Sequence, residues 1–278
     1  MPGYIDLHLH TNMSDGVLTP EELLHEVRAR DLVAFAVTDH DTVDGYLEMK
    51  LLLDDDSPEL VTGLELSVAV DTVDLHLLAY LFDPDNEELA ETLRHFRRER
   101  NHRGRRMVEK LNRMGMALSV EAVLEAAGES AIGRPHIAEA MMNEGLVSSI
   151  DDAFRKYIGN HCPAYIPKDM VHPREAIELI HRAGGLAVMA HPFINNLHKQ
   201  IPSLALLGLD GLEVYHYSHS KQHVADLKRL AEQYGLLLSG GSDFHGRQEH
   251  EGDIGTGPVP VEYLDMMKNR TREIRGIL

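Results

Sequence analysis

The sequence predicts an α/β fold built of βα units, a parallel barrel or sheet, with one long helical insertion. Apolar, β-branched runs alternate with amphipathic stretches, the rhythm of βα units. From about Asp83 to Lys168 that rhythm gives way to a helix-like segment rich in Arg, Met and Glu. Histidines and carboxylates recur at the ends of the apolar runs, where parallel α/β folds place their active sites. A chain of 278 residues with 43 % hydrophobic content suits one large domain, or a domain carrying an insertion.

The elements follow in order. Strands are expected at Tyr4–Leu9, Val33–Val37, Leu60–Val70 and Leu75–Leu81, then at Leu186–Ala190, Gly211–Tyr215 and Leu236–Ser239. In "TPEELLHEVRARD" Thr19 caps a helix, Pro20 takes its first position, and Glu21 and Glu22 fill the first turn. "HPREAIELIHRAGG" is a second helix, opened by proline and closed by glycine. "DDDSPE" reads as a solvated turn, and the C-terminal "KNRTREIRGIL" as a charged, mobile tail. Residues 1–82 and 169–278 form the barrel or sheet. Residues 83–168 form the insertion, expected to act as a substrate-recognition lid, because they are too many for a simple crossover. Methionines 107, 114, 116, 141 and 142 read as adaptable core.

Composition excludes several classes. No apolar run approaches the ~20 residues of a membrane span, and the N-terminus has neither the basic nor the apolar region of an export signal. The single cysteine, Cys162, allows no internal disulfide and fits a reducing cytoplasm, so a cytoplasmic location is expected and Cys162 reads as packing. A net charge of −18 opposes broad binding to duplex DNA or anionic membrane. Any anionic substrate therefore needs a local positive site. Two features supply candidates: 18 histidines, and "RHFRRERNHRGRR" (Arg94 to Arg106) with seven arginines against one glutamate.

On a strand, the alternation in "DLHLH" points His8 and His10 to one face and Leu7 and Leu9 to the other, a spacing that suits one metal ion. "SDG" adds Asp15, "TDHD" His40, "GLE" Glu65, "DLHLL" His76, "AHP" His191, and "SDFH" Asp243 and His245. Imidazoles and carboxylates without thiolate suit Mn²⁺, Fe²⁺ or Zn²⁺. Several divalent ions against three carboxylates leave an excess of positive charge, an anion trap for which a phosphate ester is the natural guest. Asp6, Thr38 and Asp41 stand among these residues as candidates to orient imidazoles.

Together "DLHLHT…SDG", "TDHD", "GLE", His76, "AHP" and "SDFH" resemble the polymerase and histidinol phosphatase (PHP) family, across residues 3–82 and about 184–250. The resemblance implies a distorted (β/α)7 barrel with a trinuclear metal centre at the C-terminal ends of its strands, with Mn²⁺ expected and Fe²⁺ or Zn²⁺ as alternatives. One ion would take His8, His10, Glu65 and Asp243; a second would share Glu65 and add His76 and His191; a third would take Asp15, His40 and His245. Metal-bound hydroxide is the expected nucleophile, with no protein nucleophile, and His219 is a candidate acid.

"GRPH" (Arg134, His136) and Lys168 resemble features of the PHP subgroup acting on nucleoside 3′,5′-bisphosphates and on 5′ ends of short RNA. Arg134 suits a bidentate clamp on a non-reacting phosphate. Arg103 and His216 are further candidate substrate contacts, and Tyr215 or Tyr217 a candidate for stacking on a base. The expected reaction is hydrolysis of the 3′-phosphate of a nucleoside 3′,5′-bisphosphate, extending to phosphodiester cleavage of short 5′-phosphorylated RNA. Histidinol-phosphate phosphatase is the rival enzyme, and a non-catalytic PHP binding module the rival of another class.

Overall fold

The computed structural model describes residues 3–70, 73–128, 130–167, 171–246, 252–256 and 259–276. Strand β1 (Tyr4–Leu9) leads through helix α1 (Pro20–Arg28) to β2 (Leu32–Val37), and α2 (Asp44–Leu52) leads to the long β3 (Glu59–Val70). Strand β4 (Val73–Tyr80) returns antiparallel along β3, so no helix separates this pair. The helices α3 (Glu87–Arg113), α4 (Val120–Ala127), α5 (Arg134–Asn143) and α6 (Ile150–Ala153) follow, the last continued by a π-helical turn, Phe154–Ile158. Then come α7 (Pro173–Arg182), β5 (Leu186–Met189), a 3₁₀ segment (Ile194–Gln200), α8 (Ile201–Leu206), β6 (Gly211–Tyr215), α9 (Lys221–Tyr234), β7 (Leu237–Gly240), β8 (Val259–Pro260) and α10 (Val261–Ile274).

The eight strands lie in the order β7-β6-β5-β4-β3-β2-β1-β8. Pairings β1–β2, β2–β3, β5–β6 and β6–β7 are parallel, whereas β4 runs antiparallel to both neighbours and β8 antiparallel to β1. Past β7 the chain runs beside β1: the Asp243 N–H donates to the His8 carbonyl at 2.9 Å, and the His10 N–H to the Phe244 carbonyl at 3.0 Å. The sheet is thereby nearly closed into the distorted barrel that the sequence predicts. β8 is an addition to the expected strands; two residues carry no readable alternation.

Local chemistry accounts for the main elements. Thr19 and Glu22 form a reciprocal capping box at the start of α1, as the sequence predicts. The alternation on β1 is broken by a register irregularity between Asp6 and Leu9. Leu7 packs with Ile5, Ala34, Ala36 and Tyr80, whereas Leu9 packs with Leu23, Leu24 and Phe35 beside α1. The two leucines therefore do not share one environment, a correction to the strict period-two reading.

The segment between β4 and α7 has its own apolar centre of Met107, Leu111, Val123, Ile132, Ile137, Met141 and Ile166. Each such buried side chain contributes roughly 1.5–3 kcal/mol relative to exposure. Met107 and Met141 are buried as expected, but Met114 and Met142 stand at the surface. The C-terminal segment is no loose tail through Ile274. It forms α10, with Met267 and Thr271 buried, and Arg275 beyond it donates to the Gly184 and Leu81 carbonyls. No helix among the described residues is long and apolar enough to cross a membrane.

Barrel closure imposes a steric condition at Gly241. A Cβ there would lie 2.4 Å from both the backbone nitrogen and the Cβ of His8. Gly241→Ala should therefore push β7 off β1 and destabilise the fold by about 1–3 kcal/mol, read as a lower urea midpoint at unchanged m-value.

Candidate metal centre

The strand ends deliver their donors to one point. Glu65 on β3 is 1 % exposed, and its two oxygens face different neighbours. Oε2 lies 3.3 Å from His8 Nε2, 3.3 Å from His10 Nε2 and 3.1 Å from His40 Nδ1. Oε1 lies 2.9 Å from His76 Nδ1 and 3.2 Å from His191 Nε2. Asp243 Oδ1 stands 3.2 Å from both His8 Nε2 and His10 Nε2. Asp15, on the loop after β1, lies 3.3 Å from His245 Nε2 and 3.9 Å from His40 Nε2. All nine residues singled out in the sequence are thus brought together.

Three groups of donors are each close enough to hold one ion: His8, His10, Glu65 and Asp243; His40, Glu65 and His76; and His10, Asp15, His40 and His245. The first matches the grouping implied by the resemblance. The others differ in that His40 stands between the second and third groups and His10 between the first and third. His191 approaches the second through Glu65 Oε1. Among the described residues, the nitrogens His8 Nε2, His10 Nε2 and His40 Nδ1 are buried without a hydrogen-bond partner while facing carboxylate oxygens. Lone pairs and carboxylates converging on shared points are what a divalent cation requires, so the donor set fits one.

Protons offset the buried charge in this constellation. Burial disfavours ionisation of Glu65, but His40, His76 and His8 outweigh it and hold its carboxyl well below the usual range. Burial likewise opposes charge on His8, yet Glu213, Asp243 and Glu65 raise its pKa well above the ordinary value. His245 is pushed up to about 10, burial again being overcome, here chiefly by Asp15.

A carboxylate that sequence reading missed lies beneath this centre. Glu213 on β6 is fully buried, 2.8 Å from His8 Nδ1. Its only signal is an acid in the middle of the buried run "GLEVY". Asp39 was also passed over: it accepts from the Thr11 N–H and from the Thr11 and Ser14 hydroxyls, pinning the loop that carries Asp15. The candidates for orienting imidazoles have other partners. Asp6 accepts from the backbone N–H groups of His8, Ser242 and Gly255, Thr38 donates to the Leu9 carbonyl, and Asp41 accepts from the Ser67 N–H and Arg100 Nε.

The helical segment presents cations to this rim. Arg100 donates to Asp41 at 2.6 Å and to Ser67 at 2.8 Å. Arg103 is buried rather than solvated, donates through Nε to the Ile166 carbonyl, and has no hydrogen-bond partner at Nη2 among the described residues. Burial and the neighbouring Arg134 depress its pKa to about 10. The Tyr165 ring lies 5.6 Å from each of the Arg103 and Arg134 guanidinium carbons. Arg134 is held by Asn160 at 2.8 Å and by Asp74 at 3.4 Å. Asp74 and His76 are two apart on β4, so they share a face of that strand.

The remaining candidates divide. His136 is buried, and its Nδ1 accepts from the Gly133 N–H, a helix-capping position. Lys168 lies outside the described residues. His216 is buried, 3.2 Å from Asp243 Oδ2. His219 Nδ1 donates to the Val214 carbonyl at 2.9 Å, and burial lowers its pKa to about 4. At neutral pH its Nε2 therefore carries a lone pair and can accept a proton or a hydrogen bond. The Tyr217 ring lies tilted against His216 at 4.5 Å, whereas Tyr215 packs on Tyr263 and Lys228. Cys162 contacts the Phe154 and Arg155 carbonyls.

Comparison with known proteins agrees with this architecture. The PHP domain matches residues 6–159. A 5′-3′ exoribonuclease of Haemophilus influenzae is 32 % identical over 245 residues, 86 % of this chain and 89 % of the relative. A 3′,5′-nucleoside bisphosphate phosphatase of Chromobacterium violaceum is 32 % identical over 257 residues, 90 % of each chain. A solved structure from Bifidobacterium adolescentis, a candidate metal-dependent phosphoesterase, superposes with a TM-score of 0.88 at 31 % identity, covering 97 % of this chain and 98 % of that one. The chain belongs to the PHP domain family, and it is a hydrolase of phosphoric esters.

Proposed function

We propose that this phosphoesterase removes the 3′-phosphate of nucleoside 3′,5′-bisphosphates, giving a nucleoside 5′-monophosphate and orthophosphate. The observation that carries the reading is the Arg103–Tyr165–Arg134 stack, tied through Asp74 to the strand that carries His76. It sets a second cationic site beside the nine donors. A substrate with two phosphates uses both; a simple monoester uses one. The relatives named for a bisphosphate phosphatase and an exoribonuclease support the same substrate class, and short 5′-phosphorylated RNA offers the same terminal phosphate.

The proposed ligands are His8, His10, Asp15, His40, Glu65, His76, His191, Asp243 and His245, holding three divalent ions, Mn²⁺ by preference over Fe²⁺ or Zn²⁺. When bound, such ions polarise phosphoryl oxygens and lower the pKa of water. The protein's own part is positional. Arg134 and Arg103 hold the 5′-phosphate by charge-assisted hydrogen bonds, which fixes its distance from the donor cluster. His219, neutral at its Nε2, accepts a proton or hydrogen bond at the edge of the site. The helical segment covers this edge as a substrate-recognition lid.

Arg134→Ala should raise KM for a nucleoside 3′,5′-bisphosphate about 10- to 100-fold, roughly 1.4–2.7 kcal/mol, with a smaller change in kcat. The companion assay compares phosphate release by Mn²⁺-loaded protein from the bisphosphate, histidinol phosphate and a 5′-phosphorylated RNA. A kcat/KM on the bisphosphate about 100-fold above that on histidinol phosphate supports the clamp. Preference for histidinol phosphate would remove it while leaving the donor cluster in place.

Loading with metal should also release protons. His8 and His245 are held protonated in the metal-free chain, His245 with a pKa of about 10. A raised pKa means the proton competes with a cation below that pH, so apparent affinity should fall as pH drops from about 8 to 6. Calorimetry at pH 7 in two buffers of different ionisation enthalpy measures this directly. Uptake without proton release would remove His245 from the ligand set.

A further inference from the structure

Strands β1 to β5 and β7, with the residues just past them, bring all nine proposed ligands into the cluster. Strand β6 brings none, although it lies between β5 and β7 in the sheet. Its own polar side chains nevertheless turn toward that cluster.

We infer that β6 supplies a positioning pair, Glu213 and His216, that holds His8 and Asp243 in register for the cation site they share with His10 and Glu65. This rests on the proposal that those four residues bind a divalent ion.

Glu213 is fully buried and uses both oxygens. Oε1 lies 2.8 Å from His8 Nδ1, and a carboxylate there requires that Nδ1 carry the hydrogen. In the neutral ring Nε2 is then the nitrogen left to bind a cation, and it is the atom that faces Glu65 and Asp243 at 3.3 and 3.2 Å. Oε2 accepts from the backbone N–H of His191 at 2.7 Å. His191 sits at φ +28°, a conformation that side-chain-bearing residues rarely adopt, so this bond pins a strained backbone position next to a second donor. One carboxylate thus sets the tautomer of one imidazole and the backbone of another.

His216 acts on the opposite wall. The Ser218 N–H donates to His216 Nδ1 at 3.2 Å, which makes Nδ1 the acceptor and leaves the hydrogen on Nε2. Nε2 then donates to Asp243 Oδ2 at 3.2 Å, while Asp243 Oδ1 faces His8 and His10. A nitrogen carrying a hydrogen is no metal ligand, so His216 orients the carboxylate and does not join the nine. Asp243 also has a positive φ, +55°, and this contact restricts its side chain from the side opposite the cation site.

The test is Mn²⁺ binding to metal-free protein, read by calorimetry as stoichiometry and affinity, for Glu213→Gln, His216→Phe and the control Asp210→Asn. Asp210 forms a partly buried pair with His181 at 2.7 Å and, among the described residues, no hydrogen bond or ion pair with the nine donors, so it reports general loosening of the barrel. Glu213→Gln keeps the shape but removes the charge that favours the Nδ1–H form of His8. It should lose one ion per chain or weaken one site about 10- to 100-fold, as should His216→Phe, while Asp210→Asn binds as wild type. His216→Gln, which can still donate to Asp243, should recover most of the affinity lost in His216→Phe. Wild-type binding by Glu213→Gln, or equal losses in all variants including the control, would overturn the inference. Failure of the wild type to bind Mn²⁺ would instead remove the underlying metal-site reading.

Discussion

The structure depends on keeping one carboxylate ionised inside a barrel. Glu65 is 1 % exposed, and five imidazoles lie within 3.3 Å of its two oxygens. An uncompensated buried charge costs several kcal/mol, so this position is tolerable only with positive charge around it. Glu65 also sits where the two halves of the sheet meet: its backbone bridges to His40 on the parallel side, and it pairs with Leu78 of antiparallel β4 on the other. The reversal of β4 thereby carries His76 to the side of Glu65 away from His8 and His10. A uniformly parallel barrel with a helix between β3 and β4 would not bring that imidazole to Oε1 by so short a path.

The same demand accounts for three of the strained backbone positions; Asp31, Leu81, His161, Asn195 and Asn196 also have positive φ but lie outside the cluster. Asp41, His191 and Asp243 have φ values of +55°, +28° and +55°. Such positions cost on the order of 1–3 kcal/mol each and persist only where surroundings over-determine them. Here the Asp41 N–H is held by the Glu65 carbonyl, the His191 N–H by Glu213, and the Asp243 N–H by the His8 carbonyl. Each of these three residues is tied to a member of the cluster or to the carboxylate beneath it. The donors therefore stabilise one another's geometry, and the centre is best understood as a single cooperative unit.

What was legible in the sequence follows from this. Histidines and acids at the ends of apolar runs are conspicuous because water-loving side chains there break a hydrophobic pattern, and all nine do converge. Seven strands match the expected spans within one or two residues at either end, since each carries an apolar run or a period-two alternation. Strand β8 was invisible because two residues have no period. The irregularity in β1 was hidden because it changes which neighbours Leu7 and Leu9 meet without changing the residues themselves. Glu213 was read past because a single acid within "GLEVY" has no sequence partner; its meaning comes from His8, 205 residues away. Arg103 is a candidate substrate contact within a run of seven arginines, but nothing in that run shows that α3 turns this position inward, against the Tyr165 ring.

Charge balance separates the chemistry from the specificity. At a net charge of −18, long-range attraction will not gather an anionic substrate, so discrimination must be local. The barrel's acids already engage several cations of α3: Asp44 pairs with Arg97, and Asp41 with Arg100. Those pairs dock the helix onto the rim and leave less charge for a ligand. Arg103 is different, because burial and Arg134 both disfavour its charge and its Nη2 stands without a partner among the described residues. A phosphate placed between Arg103 and Arg134 would relieve that repulsion and meet only the longer Arg134–Asp74 contact of 3.4 Å, whereas at Arg97 or Arg100 it would compete with carboxylates at 3.0 and 2.6 Å. The cluster can thus stay the same while the substrate changes, provided the change is made in the helices that carry these two arginines.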